Sequence, residues 1–585
     1  MANPFVHYLN SLNSADANAQ GALAESQVTS PYYEKVIVRL PISDSLRNII
    51  LENPSTIILT GHAGDGKTSL LVQLLKDLDC LPSGEQLKMR AQVTSADGVK
   101  VFYVKDMSEL TKVEQVNLFT QALEAPSQGS SAVLVTNTGP LINVVGRLNE
   151  QLPKAEQVEA TSSLLEGLDV NDSRIMTVAG KPYRICNMAH MDNVNIGGLI
   201  LKKLISEDLW QSCQDCSKVH ICPIYQNQKQ CAAGFEQIAE FCSSFYRHLH
   251  EHDNRLTIRQ ITAHISYALT GNLSCDQVAG NKNDLFNYHF ANLMFGYVGF
   301  QPAPKAAQIR AITELQKLEL DTIGLDADFS LFVQRRYETF SEEAQSNIRK
   351  ADALATWHLR RPSSAQKKAE ARLLHRRAIR RFYLLFSQQD DVGRANLLRQ
   401  LYSPLYPVYL KAVAGPDLER LEKREIRALI LKALYVMFVG MPAPVDDIDE
   451  IPLPVRRDNV VTQYVQLLQG AVPSSHISVQ IAKIPAHLGL GNGSHRMELK
   501  VNNLDANYVI RFPVLDYFWH VANGSVATSL APSLSHGINR LKARLVKSYS
   551  NDTGEENKQF QLLLVTNKGT KKARVELVGN QLYID

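Results

Sequence analysis

The sequence predicts an α/β domain with a parallel sheet, followed by an α-helical domain and a mixed, β-rich C-terminal region. Three observations carry that prediction. From Ser55 to about Leu269, short β-rich runs alternate with longer helical ones, the pattern of strands joined by crossover helices. Between roughly 300 and 440 helical periodicity dominates, with Leu373, Leu374 and Ile379 set among arginines. Further on, strand-like alternation returns at 476–484 (HISVQIAKI), 496–501 (RMELKV) and 560–565 (FQLLLV).

With 45% hydrophobic and 21% charged residues, the 585-residue chain is globular and long enough for about three or four domains. A formal net charge of +3 singles out no class of partner, so local charge is more informative. The opening MANPFVHYLNSLNSADANAQ has no basic stretch leading into an apolar one; residues 1–45 are read as an N-terminal segment without a secretory signal. The longest apolar run, 428–440, contains Lys432 and reads as a buried helix rather than a membrane span. Eight cysteines, unevenly spread, argue against a disulfide framework and for a reduced compartment, the cytoplasm.

The α/β core, 46–250, opens on TIILTGHAGDGKTS at 56–69. Gly61-x4-Gly66-Lys67-Thr68 has the spacing of a phosphate-binding P-loop, with an apolar strand before it and an amphipathic helix, 67–78, after it. Gly61, Gly64 and Gly66 let the backbone curl so that its amides point inward, and the helix dipole adds positive potential. Lys67 is expected to reach the β- and γ-phosphates of ATP and Thr68 to coordinate Mg2+, with Ser69 completing the cofactor-binding set. Asp65 is the anomaly in a loop built for a polyanion. Because backbone amides hold the phosphates, its side chain is expected to face away, toward a Lys or Arg of a lid or neighbour.

A phosphoryl-transfer site also needs acids. The strand at 101–106 (VFYVKD) ends in Asp106, the candidate magnesium acid, followed by Met107 rather than a second acid. For Glu109 two readings stand: it orients the attacking water, or it caps the helix starting near Thr111. The strand at 132–136 ends at Asn137, a polar tip like the sensor position of AAA+ ATPases, and 183–188 (YRICNM) offers a fifth strand. This order fits a P-loop NTPase of AAA+-like layout better than a small GTPase, and no Asn-Lys-x-Asp guanine motif occurs. The helical lid, 251–300, contains a helix with Thr257 as N-cap and Gly271 as stop. Arg259 near its start is either a lid arginine for the γ-phosphate or a surface residue on a core helix. Arg147 and Arg174 are weighed as fingers acting in trans or as solvated side chains.

A cysteine-rich insertion, 210–232, holds Cys213-x2-Cys216-x5-Cys222-x8-Cys231 with His220 inside. Thiolates at such spacing suit structural Zn2+, with an iron–sulfur cluster or free thiols as the other readings. The fourth ligand is either Cys231 or His220. The helical domain, 301–445, carries a basic helix: Arg349, Lys350, Arg360, Arg361, Lys367, Lys368, Arg372, Arg376, Arg377, Arg380 and Arg381 face only Asp352 and Glu370. Arg372, Arg376 and Arg380 recur every four residues, as do Arg377 and Arg381, so a helix gathers them into adjacent rows. Such a ridge suits DNA or RNA phosphates, double-stranded DNA being the partner considered; a solvated face or ion pairs with other subunits are the competing readings. The Pro- and acid-rich stretch 440–458 is read as a linker. In the C-terminal domain, 446–585, residues 533–547 allow a helix and 574–584 a hairpin turned at Gly579-Asn580.

Taken with GDGKT, VFYVKDMSEL, the segment Asn137-Thr138-Gly139-Pro140-Leu141, the cysteine cluster followed by Pro223, and the helix at 258–271, the chain resembles the DptF/DndF family, a component of bacterial phosphorothioation-dependent DNA restriction systems. The likeness covers roughly 35–300. It implies an ATPase acting with partner restriction subunits in an oligomeric or heteromeric complex. It carries Gly61, Gly66, Lys67, Thr68 and Asp106 over as nucleotide and magnesium residues. The alternative is a nucleotide-gated sensor or scaffold that hydrolyses slowly and recognises a protein. No nuclease constellation and no membrane segment is found, so any cleavage belongs to a partner.

Overall fold

The computed structural model describes residues 2–13, 30–82, 85–150, 153–169, 175–178, 180–278, 284–342, 344–346, 348–349, 364–415, 418–444, 448–455, 464–484, 495–525, 530–550, 559–566, 569–578 and 581–584. They fall into two compact units, the first ending at Gly393 and the second beginning at Arg394. The boundary expected near 445 thus lies earlier, because the helices from 406 to 439 share a core with the β-rich residues that follow them.

In the first unit the N-terminal segment is not a tail. Helix α1 (Pro4–Leu12) starts at Asn3, whose side chain accepts from the Phe5 amide at 3.0 Å, and Phe5 meets the ring of Trp210 nearly edge-on at 5.6 Å. The sheet has six strands: β1 (Thr56–Thr60), β2 (Arg90–Thr94), β3 (Lys100–Val104), β4 (Ser131–Val135), β5 (Ile175–Val178) and β6 (Lys181–Asn187). They lie in the order β2-β3-β4-β1-β6-β5, and a separate two-stranded pair, β7 (Tyr297–Val298) and β8 (Gln301–Pro302), comes later in the unit. β1 is buried throughout and runs parallel to both neighbours, Ile57 lying opposite Val133 on β4 and Arg184 on β6. A strand covered on both faces must be apolar on both, which TIILT nearly is. β3 is parallel to β4, while β2 and β5 pair antiparallel at the edges, so the sheet is mixed rather than purely parallel.

Helices follow the inner strands. α2 (Lys67–Asp77) follows β1, α3 (Lys112–Glu124) follows β3, and α4 (Thr138–Asn149) follows β4. Phe119, Leu118, Leu141 and Val145 from α3 and α4 pack on Ile58, Phe102 and Leu134 of the sheet. Each such side chain removed from water contributes about 1.5–3 kcal/mol. Beyond the sheet come α5 (Pro223–Ala233) and α6 (Ile258–Thr270). Thr257 and Gln260 form a reciprocal capping box at the start of α6, and Gly271, at φ 58°, ends it as expected.

The basic helix exists as α7 (Ala365–Phe386), but its rows do not make one solvent ridge. Arg381 is fully buried: Nε donates to Asp321 at 2.8 Å, Nη1 to Asn292 at 3.1 Å, and the guanidinium lies 3.6 Å from the Tyr297 ring centre. Arg377 takes the other oxygen of Asp321 at 3.0 Å, and Arg380 pairs with Asp328 at 2.6 Å. The helix buries Phe382, Leu385 and Phe386, and their neighbouring arginines go under with them. Lys367, Lys368, Arg372, Arg376 and Arg349 remain exposed. Lys350, Asp352, Arg360 and Arg361 lie outside the described residues.

The second unit holds α8 (Arg420–Val439), which includes the apolar run and stops at Gly440 with φ 80°. Two sheets accompany it. One has the order β16-β15-β14-β10-β9, from β9 (Glu450–Val455), β10 (Val465–Pro473), β14 (Gln559–Thr566), β15 (Gly569–Val578) and β16 (Gln581–Ile584). The other is β11 (Ile477–Lys483), β12 (His495–Val501) and β13 (Tyr508–Ile510). The stretch read as a linker therefore contains a buried strand, β9. Pro452 pairs with Ala471 and Pro454 with Leu468; being two residues apart on an edge strand, both can turn their missing N–H away from the ladder. Pro532–Tyr549 is helical as expected. β15 and β16 pair through Val578 and Gln581, while Gly579 and Asn580 lie outside the described residues. No helix among the described residues is long and apolar enough to cross a membrane.

Candidate functional site

The loop between β1 and α2 is shaped by its glycines. Gly61, Gly64 and Gly66 have φ of 139°, 89° and 88°, values that a side chain strains to adopt. Space forbids a side chain as well. A Cβ on Gly64 would come within 3.0 Å of Thr257 Oγ1 and 3.1 Å of the Arg259 Cβ, and one on Gly66 within 3.1 Å of Ile258. One on Gly61 would meet the Ala189 amide at 3.1 Å, just after β6. The loop is thus pressed between the chain leaving β6 and the first turn of α6, whose Arg259 amide donates to Gly64 O at 3.2 Å.

Gly66 is the N-cap of α2 and offers no side chain to cap it, so the first-turn amides of Lys67, Thr68 and Ser69 face the loop. Lys67 is buried. Its ammonium donates to His62 O at 2.8 Å, Gly61 O at 3.2 Å and Asn137 Oδ1 at 3.0 Å. Burial lowers its pKa, opposed by the charges of Asp65 and Asp106 and reinforced by Arg259. Loop lysine, acid and α6 arginine therefore share one electrostatic neighbourhood. Burial also lowers the Arg259 pKa. Thr68 and Ser69 are half-buried.

Asn137 stands at the tip of β4, immediately beside β1, and its backbone amide donates to the Ser108 hydroxyl at 3.3 Å. Asp106, at the end of β3, accepts from the Ser108 amide at 2.8 Å and so caps the 3-10 turn Met107–Glu109. Glu109 is exposed at the end of that turn. It is not the cap of α3: Thr111 and Glu114 form that capping box themselves. Arg147 is exposed on the far part of α4, and Arg174 lies outside the described residues.

The anomalous acid is explained by a residue that sequence reading missed. Asp65 is buried, accepts from the His62 amide at 2.8 Å through Oδ2, and pairs with Arg255 at 2.9 Å through Oδ1. Arg255 also donates to Met188 O at 3.0 Å and Met191 O at 3.2 Å. The carboxylate is held by the His62 amide and by an arginine just before α6, sealed inside rather than facing outward. The charge at position 65 was itself the signal that a cation must lie nearby.

The cysteines are rearranged too. Cys213, Cys216 and Cys222 share an electrostatic neighbourhood with Cys275, whereas Cys231 is buried beside Cys242 and His220 is exposed. Of the expected fourth ligands, Cys231 lies in the core on α5 and His220 stands at the surface.

Chemically, the loop can hold an anion by backbone amides and an ammonium, with a carboxylate, an amide side chain and a guanidinium around it. Comparison with protein-family models, curated proteins and solved structures finds no match for this chain.

Proposed function

We propose that this chain binds ATP with Mg2+ at the 61–69 loop and hydrolyses it, as a P-loop NTPase of AAA+-like layout. The observation that carries the reading is the setting of Lys67. Its ammonium bonds to Asn137 at the tip of the strand next to β1, in the electrostatic range of Asp106 and Arg259. Amides of the loop and of the first turn of α2 would take the phosphates, and Lys67 would exchange its carbonyl partners for β- and γ-oxygens. Thr68 and Asp106 fit a magnesium site: hydroxyl and carboxylate oxygens are the hard ligands that ion prefers. The ion would neutralise phosphate charge as it transfers. Asn137 would place the water and Arg259 would meet the γ-phosphate.

The resemblance to the DptF/DndF family supports a wider role. In it, ATP turnover drives assembly or remodelling of a multi-subunit DNA restriction or antiphage complex on double-stranded DNA. The exposed first half of α7, with Lys367, Lys368, Arg372 and Arg376, is the part of the basic helix that remains for phosphate contact. A second reading, a nucleotide-gated sensor or scaffold, draws on buried Met107 following Asp106 and exposed Glu109, which leave the water-activating acid unassigned.

The test is ATP binding and turnover by the full chain, with and without duplex DNA, beside Lys67→Ala. DNA-stimulated hydrolysis lost in the variant supports the ATPase reading. Tight binding without stimulated turnover favours the sensor, and absence of ATP binding by the unaltered chain would sink both.

A further inference from the structure

Two segments far apart in sequence bring four thiols together. The first is a run of turns. Cys213 sits in the short helix Gln211–Gln214, the Cys216 amide closes back on Cys213 O at 3.3 Å, and Val219 N bonds Cys216 O at 3.0 Å. The run ends at Cys222, the N-cap of α5. The second segment follows α6 and contains Cys275. Lys218, inside the first run, ties the two together by donating to Val278 O at 2.6 Å. Cys213, Cys216, Cys222 and Cys275 interact electrostatically as one group. The Cys213 sulfur also accepts from Asn3 Nδ2 at 3.3 Å, so the start of α1 is attached to the same place.

All eight cysteines are free thiols. Four unlinked thiols, two of them in a C-x2-C turn, form a soft donor set. Among the described residues no three such side chains already converge tightly enough to hold one ion. A change of χ1 rotamer moves a cysteine sulfur by about 3 Å, so side-chain rotation is one way for the four to draw together. Cys231 has no comparable access. It is fully buried in the last turn of α5 and its sulfur neighbour is Cys242.

We propose that Cys213, Cys216, Cys222 and Cys275 are the four ligands of a thiolate-bound structural metal centre, and that Cys231 is a core thiol. Four thiolates fill a tetrahedral shell, so the centre holds segments together rather than acting on substrate. It fastens the turn before α5, the segment after α6 and, through Asn3, the N-terminal helix. The same donor set accepts either zinc or an iron–sulfur cluster, and metal analysis separates them. The inference stands independently of the nucleotide reading.

The experiment is metal analysis of the full chain purified without oxygen, with zinc and iron measured per chain and the visible absorption of iron–sulfur clusters recorded. Expected is about one zinc per chain, or iron with that absorption, falling at least about fivefold in Cys275→Ser and unchanged in Cys231→Ser. The opposite pattern overturns the ligand set. A chain that holds neither metal, and takes up no zinc when Zn2+ is added after chelation, overturns the centre. Should Cys275→Ser fail to fold, alkylation of the unaltered chain before and after chelation gives the answer. Cys213, Cys216, Cys222 and Cys275 must become reactive together while Cys231 stays protected; Cys231 joining them, or Cys275 failing to, refutes the assignment.

Discussion

The pairing of Asp65 with Arg255 makes a measurable demand on stability. The Asp65 side chain has no exposed surface and that of Arg255 is only 13% exposed, so each charge relies on the other. Removing one member of a buried pair typically costs about 3–5 kcal/mol, because the survivor is left uncompensated. In Asp65→Ala the guanidinium keeps the carbonyls of Met188 and Met191, which places the cost near the lower bound, about 3 kcal/mol. For a unit of this size that corresponds to a fall of about 4 °C in its Tm. The double variant Asp65→Ala, Arg255→Ala removes both charges and should recover part of the loss, giving a coupling of about 2 kcal/mol. Differential scanning calorimetry on the four members of the cycle measures this, with the transition of the first unit followed separately. ATP titration of the same proteins should show Asp65→Ala weakened by about tenfold, since the His62 amide loses its acceptor, and Lys67→Ala by well over that. Additive losses in the cycle would refute the clamp. Equal losses of ATP affinity in Asp65→Ala and Lys67→Ala would refute the placement of the carboxylate away from the phosphates.

Three further outcomes follow from the same kind of reasoning. Arg381→Ala should cost about 3–4 kcal/mol, since Asp321 keeps Arg377 but loses its buried partner, whereas exposed Arg372→Ala should stay within about 0.5 kcal/mol. If DNA is bound, the double variant Arg372→Ala, Arg376→Ala should lower the slope of log affinity against log salt by roughly two; an unchanged slope removes α7 from the interface. His264 is buried between the Tyr246 hydroxyl at 3.0 Å and Met294 O at 2.9 Å, and burial pushes its pKa down to about 4. The folded state therefore binds fewer protons than the unfolded one between about pH 4 and 6.5. Its contribution is full above pH 6.5 and is lost as pH falls through that window, about 2 kcal/mol by pH 5. His264→Gln should remove that part of the difference between denaturation midpoints at pH 7 and pH 5, and an unchanged difference would contradict it.

What could be read from sequence was what local physics dictates. Gly61, Gly64, Gly66 and Lys67 stand where loop geometry requires them, Thr257 and Gly271 bound α6, and β1, β3, β4 and β6 lie where apolar runs placed them. What escaped depends on partners remote in sequence. A charge run such as Arg377 to Arg381 looks solvated until Asp321 and Asp328 are brought beneath it. The three close cysteines left Cys231 or His220 as the fourth ligand, and nothing local in the sequence pointed to Cys275, which a later turn brings into their electrostatic neighbourhood. β2 was missed because RAQVT is an exposed-to-half-buried edge with no apolar run. Proline at 452 and 454 spoke against a strand, and only the edge position of β9 reconciles them.

Arg255 and Asp65 lie 190 residues apart in the chain. At a synthesis rate of about 5–20 residues per second, the glycine loop leaves the ribosome roughly 10–40 s before its clamp exists. During that interval the Asp65 carboxylate has only solvent and local amides for company. On the proposed reading of the loop, the nascent chain should discriminate against nucleotide until its first unit is complete. Occupancy by ATP would then report a finished fold rather than a half-made one.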